Sequence, residues 1–293
     1  MRIGVVFPQN EITASGAAAR RFAREVEELG FAHVLAYDHV LGADPAAHPG
    51  WSGPYDVDTE FHEPLVLFAH LAAVCELELV TGVLVLPQRQ AALVAKQAAT
   101  LSLLAEGRVR LGVGTGWNEV EYAALGMPFA DRGDRMDEQV AMMRRLWAER
   151  SITDTGDHHV VDGAGIAPRP AVPVPLWFGT YGRARRPLER IGRLGDGWLP
   201  VGLRPGPELD RATAQVATAA AAAGRDPARI GLEGRVRLAP GRAGEARDRI
   251  GAWTAAGATH LTVDTRGNGL RDGGHTDLLH ELAQVLDEKE TSP

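Results

Sequence analysis

A repeating alternation of two kinds of segment constrains the fold more than any other feature of the chain. Short apolar runs rich in β-branched residues are each followed by a longer run rich in Ala, Leu, Glu and Arg, which predicts βαβ units and a parallel sheet. The predicted strands cover residues 2–7, 33–37, 77–86, 109–113, 176–179, 197–201, 231–238 and 260–264. Eight strands alternating with helices is the count of a closed (β/α)8 TIM barrel, so we expect one α/β domain over residues 1–293.

The predicted helices occupy the segments between and after these strands. They cover residues 17–29, 64–76, 92–105, 135–149, 183–194, 207–223, 244–256 and 276–288. The alternative for such a pattern is an open dinucleotide-binding sheet, which carries a glycine-rich turn after its first strand. Pro8, Gln9, Asn10 and Glu11 stand at that position here, so we favour the closed barrel.

Two long segments interrupt the alternation, after strands 2 and 4. Residues 42–61 are rich in Gly, Pro and Asp, and residues 151–174 are polar, contain His158 and His159, and end in prolines. Long connections in barrels commonly form walls or lids of active sites, so we interpret both as insertion or lid segments. In the second we expect a small hairpin with its turn near residues 153–156.

Charge and composition argue against several classes of protein. The net charge of −7 opposes non-specific binding to nucleic acid, which needs a basic surface. No apolar run approaches membrane-spanning length, and the first apolar run is too short for a signal peptide, so we expect no membrane partner and a cytoplasmic location. The single cysteine, Cys75, and the histidines lack zinc-ligand spacing, and the first strand lacks the histidine pair of a metal-dependent hydrolase, so we expect no metal.

Asp38 and His39 are the strongest catalytic candidates from position and residue type. In a parallel barrel, functional side chains gather at the carboxyl ends of the strands, and these two residues follow the second predicted strand. A histidine beside a carboxylate suits proton transfer or electrostatic stabilisation. A structural role for His39 is the alternative.

Glycines mark a second group of candidates in the third and fourth predicted strands. A glycine inside a strand indicates a bulge or the close approach of a ligand, although packing alone is the alternative. Three glycines within residues 112–116 allow the backbone to approach a bulky ligand, and the polar residues beside them are placed to bind it or to cap the following helix. These candidates are Thr81, Gly82, Val83, Thr115 and Asn118.

An anion site is predicted where the fifth strand enters its helix. Backbone amides at a helix N-terminus attract anions, and arginines there add positive charge, although a solvated basic helix end is the alternative. The predicted phosphate-binding residues are Gly179, Thr180, Tyr181, Gly182 and Arg183.

Five short motifs occur in order along most of the chain. They are AYDH at 36–39, TGVLVLP at 81–87, KQAATL at 96–101, GRVRLGVGTGW at 107–117 and RLGDGW at 193–198. Each motif is weak alone, but together they resemble the luciferase-like monooxygenase superfamily, in particular its coenzyme F420-dependent branch. The agreement in order and spacing runs from Met1 to about Asp264.

The resemblance implies a reduced deazaflavin or flavin bound at the C-terminal mouth of the barrel. It assigns Asp38 and His39 to contacts with the ring, with His39 near the carbon that transfers hydride. It assigns Thr115 and Asn118 to the ring edge or tail, and the loop at residues 179–183 to the phosphate.

The resemblance also implies a non-proline cis peptide bond between Gly82 and Val83. One departure bears on the substrate. Sugar-phosphate dehydrogenases of this group carry a glutamate soon after the glycines of the fourth strand, whereas this chain has Trp117 there and Glu119 further on. The departure argues against a sugar-phosphate substrate.

Three functional hypotheses follow. The first is an oxidoreductase that transfers hydride between F420 and a small organic substrate, which the arginines at 183, 185 and 186 favour because F420 has a long acidic tail. The second is an FMN-dependent two-component monooxygenase, which requires a separate reductase. The third is a flavin- or deazaflavin-binding protein without turnover. The sequence leaves open whether the protein forms a homodimer.

Overall fold

The computed structural model describes residues 1–181 and 184–287. Within them the strands are β1 (Arg2–Val6), β2 (His33–Ala36), β3 (Glu78–Val85), β4 (Val109–Gly114), β5 (Ile152–Thr155), β6 (Val160–Ala164), β7 (Leu176–Tyr181), β8 (Gly197–Val201), β9 (Gly231–Arg237) and β10 (His260–Asp264). All except β5 and β6 pair in parallel and close a barrel in the order β1-β10-β9-β8-β7-β4-β3-β2. The predicted (β/α)8 barrel is therefore confirmed.

The helices lie outside the barrel and cover its strands. They are α1 (Gly16–Glu28), α2 (Pro64–Leu71), α3 (Ala91–Leu104), α4 (Glu119–Ala124), α5 (Arg132–Ala148), α6 (Arg185–Leu194), α7 (Pro207–Ala222), α8 (Ala243–Ala255) and α9 (Gly273–Asp287). All of the predicted helices are present, and α4 is an addition. Position 183 of one predicted helix and position 288 of another lie outside the described residues.

Helix α1 illustrates why these segments are helical and where they bury apolar surface. Phe22, Ala23 and Val26 recur at the spacing of one helix face, and all three are buried against the barrel. Ser15 caps the helix, because its side chain accepts a hydrogen bond from the Ala18 N–H at 3.2 Å. None of the helices in the described part of the chain is long and apolar enough to cross a membrane.

The second long segment, residues 151–174, follows α5 and precedes β7. It contains the predicted hairpin, formed by β5 and β6 as an antiparallel pair, but the turn lies at residues 156–159 rather than 153–156. Glu138 of α5 accepts the backbone N–H groups of His158 and His159, which fixes the turn against that helix. The hairpin therefore packs beside α5.

An ion pair between buried side chains crosses the lower part of the barrel interior. Arg110 of β4 donates to Glu233 of β9, and its guanidinium lies 4.3 Å above the ring of Trp177. Glu233 also contacts His33 of β2, at 3.2 Å, and accepts a hydrogen bond from Thr262 of β10. Burial would raise the pKa of Glu233, but the positive charge of Arg110 and the hydrogen bonds hold it well below its usual range. The network joins four strands around the barrel axis.

Replacement of Arg110 by methionine is expected to lower the free energy of unfolding by about 3–5 kcal/mol, because it leaves the Glu233 carboxylate buried without its main partner. Arg2→Met is the control, since Arg2 is half exposed and lies 3.8 Å from Glu78, and it should cost less than about 1 kcal/mol. Denaturant unfolding of the two variants checks this. Equal losses would mean that the buried pair does not support the barrel.

Candidate functional site

A cavity of about 450 Å³ opens at the carboxyl ends of the barrel strands. Its walls come from β3, β4, β7, β8 and β9 and from the residues that follow β2, β4 and β10, with further side chains from α5, α6 and the 42–61 segment. The apolar part of the lining consists of Val83, Val85, Met136, Phe178, Ile191, Leu199 and Val201. The cavity therefore combines apolar walls with a few polar groups, which is typical of a cofactor or substrate site.

Val83 forms one wall of this cavity. The peptide bond between Gly82 and Val83 is cis, as the sequence resemblance implied. The pairing of β3 with β4 shifts register between Thr81 and Leu84, so β3 bulges at this point.

The glycines around the bulge are explained by close packing. A Cβ at Gly82 would lie 2.2 Å from Leu35, and a Cβ at Gly114 or Gly179 would lie 2.6 or 2.5 Å from the Val83 side chain. The glycines of β4 and β7 therefore accommodate Val83. For Gly82 this is the packing alternative that the sequence left open, and the approach of a ligand to the glycines of residues 112–116 stays a prediction.

His39 lies at the cavity wall inside a cluster of aromatic rings. The ring centroids of Phe61, Tyr55 and Trp117 are 4.9, 5.1 and 5.6 Å from that of His39. Trp51 packs on Trp117 and donates from Nε1 to the Tyr55 carbonyl at 3.1 Å. The first long segment, residues 42–61, therefore folds over His39 and shields it from bulk water, and only 12% of the His39 side chain is exposed.

Glu121 of α4 holds His39 and the backbone beside it. One carboxylate oxygen accepts the backbone N–H groups of Val40 and Leu41, and the other lies 3.6 Å from Nδ1 of His39. The Glu121 side chain is almost completely buried. Nδ1 of His39 faces Glu121, and within residues 1–181 and 184–287 no hydrogen bond involves the opposite nitrogen, Nε2.

Asp38 connects the end of β2 to the end of β3. Its carboxylate accepts a hydrogen bond from the Val85 N–H at 2.9 Å and one from Arg89 at 2.7 Å. Burial raises the pKa of Asp38, and the Arg89 charge opposes that rise. Both carboxylate oxygens are therefore engaged with the protein, which suits a positioning role better than the predicted catalytic one.

Tyr37 and two arginines border the cavity on the side of β9 and β10. The Cζ atoms of Arg266 and Arg235 lie 4.2 and 5.2 Å from the Tyr37 ring centroid. Within the described residues the buried Tyr37 hydroxyl has no hydrogen-bond partner. Burial raises the pKa of Tyr37, so its hydroxyl stays protonated and able to donate.

These two arginines were not among the site residues predicted from the sequence. Neither were Arg132 and Arg190, which line the cavity on the side of α5 and α6. A signal for one of them was present. Glu233, Arg235 and Arg237 alternate along β9, and the period of two turns all three toward the barrel interior. Arg132 and Arg190 come from helices, where arginine is common throughout this chain, and their sequence context carries no comparable signal.

Most of the predicted site residues meet at the cavity. Those that line it are Asp38, His39, Gly82, Val83, Thr115, Gly179, Thr180 and Tyr181. Thr81 does not, because it is buried and donates to the Gly112 carbonyl at 2.7 Å. Asn118 caps α4 by accepting from the Glu121 N–H, the alternative left open by the sequence, and borders a smaller cavity of about 150 Å³ behind His39.

The remaining predicted residues concern the phosphate site. Gly182 and Arg183 lie outside the described residues. Arg185 is exposed and donates to Glu189 of its own helix at 2.6 Å.

No group of three or more His, Cys, Asp or Glu side chains within residues 1–181 and 184–287 is arranged to hold a metal ion. None of residues 151–174 lines the cavity at the barrel mouth.

Comparison with known proteins places the chain in a family. The family model described as luciferase-like monooxygenase matches residues 1–291. An uncharacterized protein of Mycobacterium tuberculosis is 41% identical over 198 residues, which cover 63% of this chain and 67% of that protein. An F420-dependent glucose-6-phosphate dehydrogenase of Intrasporangium calvum is 36% identical over 185 residues, covering 59% of this chain and 50% of that protein.

Among solved structures, an F420-dependent secondary alcohol dehydrogenase in complex with an F420–acetone adduct has the same fold. Its TM-score is 0.78 at 20% sequence identity, and the match covers 96% of this chain and 97% of that one. At this identity the likeness establishes the architecture.

The role of Glu121 leads to a stability prediction. Glu121→Ala should lower the free energy of unfolding by about 2–3 kcal/mol, because the buried N–H groups of Val40 and Leu41 lose their acceptor. Glu119→Ala is the control, since Glu119 is exposed and lies two residues earlier in the same helix, and it should change stability by about 0.5 kcal/mol or less. Thermal and denaturant unfolding measure both. A Glu121→Ala protein as stable as the control would show that water replaces the carboxylate.

Proposed function

The chain belongs to the luciferase-like monooxygenase family of enzymes, and within it we propose an oxidoreductase that transfers hydride between coenzyme F420 and a small organic substrate. The observation that carries the proposal is the cavity at the barrel mouth, with His39 in its wall and, among the residues that the structure describes, no hydrogen bond to Nε2 of that histidine. The relative named as F420-dependent, at 36% identity over more than half of this chain, supports F420 as the cofactor.

The residues present fit a planar, partly polar ring. Val83, pushed into the cavity by the bulge of β3, offers an apolar surface on which a ring can stack, with Phe178 and Leu199 among the other walls. The Tyr37 hydroxyl offers a donor that no described residue satisfies. A buried unpaired hydroxyl costs free energy unless a ligand or water pairs with it. Both features support a ligand with hydrogen-bonding groups at its edge.

Arg132 supports placement of the cofactor phosphate at the end of the cavity beside β7 and α6, where Arg190 is paired with Asp137 of α5. Both line the cavity there, with Thr180 and Tyr181, and the Nε of Arg132 is buried without a partner in the described part of the chain. Charge-assisted hydrogen bonds from arginine suit a phosphate. The proposed phosphate site keeps residues 179–183, of which Gly182 and Arg183 lie outside the described residues.

When bound, F420 supplies a carbon that accepts or donates hydride. The protein supplies the proton that accompanies the hydride. In this proposal His39 donates or accepts that proton through Nε2, and Glu121 orients the imidazole through Nδ1. Asp38 and Arg89 fix the ends of β2 and β3 so that His39 and Val83 keep their places. The aromatic cluster of the 42–61 segment excludes water around His39.

Titration of the purified protein with F420 and with FMN tests the cofactor. We expect tighter binding of F420, weakening as salt is added, because its acidic tail interacts with the arginines near the barrel mouth. Fluorescence of each cofactor reports the affinity. Tight FMN binding with negligible affinity for F420 would contradict the proposal and favour a two-component monooxygenase. F420 binding without turnover of any redox substrate would favour a binding protein.

Replacement of His39 tests the proton role. His39→Ala should lower turnover by about 100-fold or more while the cofactor still binds, because a general acid–base group contributes about that much. His280→Ala on the outer helix α9 is the control, and its turnover should match that of the wild type, because His280 is exposed and does not line the cavity. If His39→Ala turns over at the wild-type rate, His39 does not transfer the proton and only packs in the cavity wall.

A further inference from the structure

The barrel wall is open between β8 and β9. These two strands pair only where Gly197 meets Gly231 and Trp198 meets Leu232, and they separate toward their carboxyl ends. The neighbouring strands β9 and β10 pair along five residues, so the separation is local. Helix α7, which follows β8, packs on α6, on the side away from the opening.

A second cavity of about 510 Å³ occupies this opening. It is bordered by β8, the loop at residues 202–205, β9 and the inner side of α8. Leu199, Val201 and Arg235 line this cavity and also the one at the barrel mouth. A ligand in the opening would therefore lie next to the proposed reaction site.

The lining of the second cavity is strongly basic. Its charged side chains are Arg204, Arg235, Arg237, Arg249 and Glu233. Glu233 is already occupied by the ion pair with Arg110 in the barrel floor. This concentration of positive charge stands out in a chain whose net charge is −7.

Three of the four arginines have no compensating acid. Among residues 1–181 and 184–287, Arg204, Arg235 and Arg237 have no carboxylate oxygen within 4.0 Å, whereas Arg249 lies 3.7 Å from Glu245. The acid next to Arg235 in space, Asp264, is bound by Arg266 through two hydrogen bonds of 3.0 Å. The positive charge in the opening is therefore available to a ligand.

The geometry of β9 explains why Arg235 and Arg237 lie on its inner face. Side chains alternate along a strand, and Gly234 and Val236 lie on the outer face, where a Cβ on Gly234 would touch Trp253 of α8. Arg235 and Arg237 consequently point inward, above Glu233. Arg235 is exposed although it lies in mid-strand, because both cavities border it.

We infer that the opening between β8 and β9 binds an anionic group, a carboxylate or phosphate, of the substrate, held by Arg235 and Arg237 with Arg204 at the rim. The inference rests on the proposed function, because it places the uncharged, reacting part of the substrate in the neighbouring cavity. The acidic tail of the cofactor also carries anionic groups and is the alternative ligand for this opening. The substrate is the better fit, because the proposed phosphate site for the cofactor lies at β7 and α6, on the far side of β8.

Calorimetric titration with inorganic phosphate, with and without saturating F420, tests this site in the full-length protein. Wild-type protein should bind phosphate with and without F420. Arg235→Gln and Arg237→Gln should each weaken phosphate binding about 10-fold or more, the effect of one charge-assisted hydrogen bond. Arg237→Gln should also leave F420 affinity within about two-fold, because Arg237 does not line the cavity at the barrel mouth. Arg24→Gln on the exposed face of α1 removes the same charge far from the opening and should leave phosphate binding unchanged. Melting temperatures verify that each variant is folded.

Several results would overturn the inference. Wild-type protein that binds no phosphate, or arginine variants that bind it like Arg24→Gln, would exclude an anion site in the opening. Competition between F420 and phosphate, together with weaker F420 binding by Arg237→Gln, would assign the opening to the cofactor tail. Failure of F420 to bind the wild type, while phosphate binding still depends on Arg235, would contradict the proposed function and leave the anion site supported.

Discussion

The buried ion pair between Arg110 and Glu233 is the interaction on which the rest of the barrel depends. It spans the interior from β4 to β9 and draws in His33 and Thr262 from two further strands. A pair of this kind is stable only when both charges are fully engaged, which fixes the four strands relative to one another. It also uses the one acidic side chain that β9 directs inward. Within the described residues the arginines higher on that strand, Arg235 and Arg237, form no ion pair, and both line the opening.

The upper part of the barrel is organised by packing around Val83. The bulge in β3 pushes this side chain inward, and glycines on β4 and β7 leave room for it. Asp38 ties the same strand to the end of β2, where His39 begins the loop that α4 and Glu121 support. The wall on which a ring can stack and the group that can move a proton are therefore held by one connected set of contacts.

The sequence predicted the fold more completely than the site, for a physical reason. Strand and helix periodicity are local properties, so the alternation along the chain was sufficient to indicate eight barrel strands. Helix α4 was missed because its six residues are too few for a periodic signal. The hairpin was expected, but its turn was misplaced by a few residues because the polar segment offers several turn-forming sites.

Site residues depend on contacts between distant parts of the chain. Arg110 and Glu233 are separated by 123 positions, and nothing near either residue reveals the partner. Thr81 and Asn118 have the right residue types and neighbourhoods for ligand binding, but backbone groups take up their hydrogen bonds. Asp38 and His39 were found because the carboxyl end of a barrel strand is itself a functional position, although their roles differ: His39 borders open space, and Asp38 is fully engaged with the protein.

A crystal structure of the protein with F420 tests the central claim most directly. The account predicts electron density for the deazaflavin ring in the cavity at the barrel mouth, with Val83 against one face of the ring and His39 at hydrogen-bonding distance from the reacting region. The opening between β8 and β9 should stay free of the cofactor. Density for the ring in that opening would contradict this account. A ring separated from His39 by the aromatic cluster of residues 42–61 would contradict it as well.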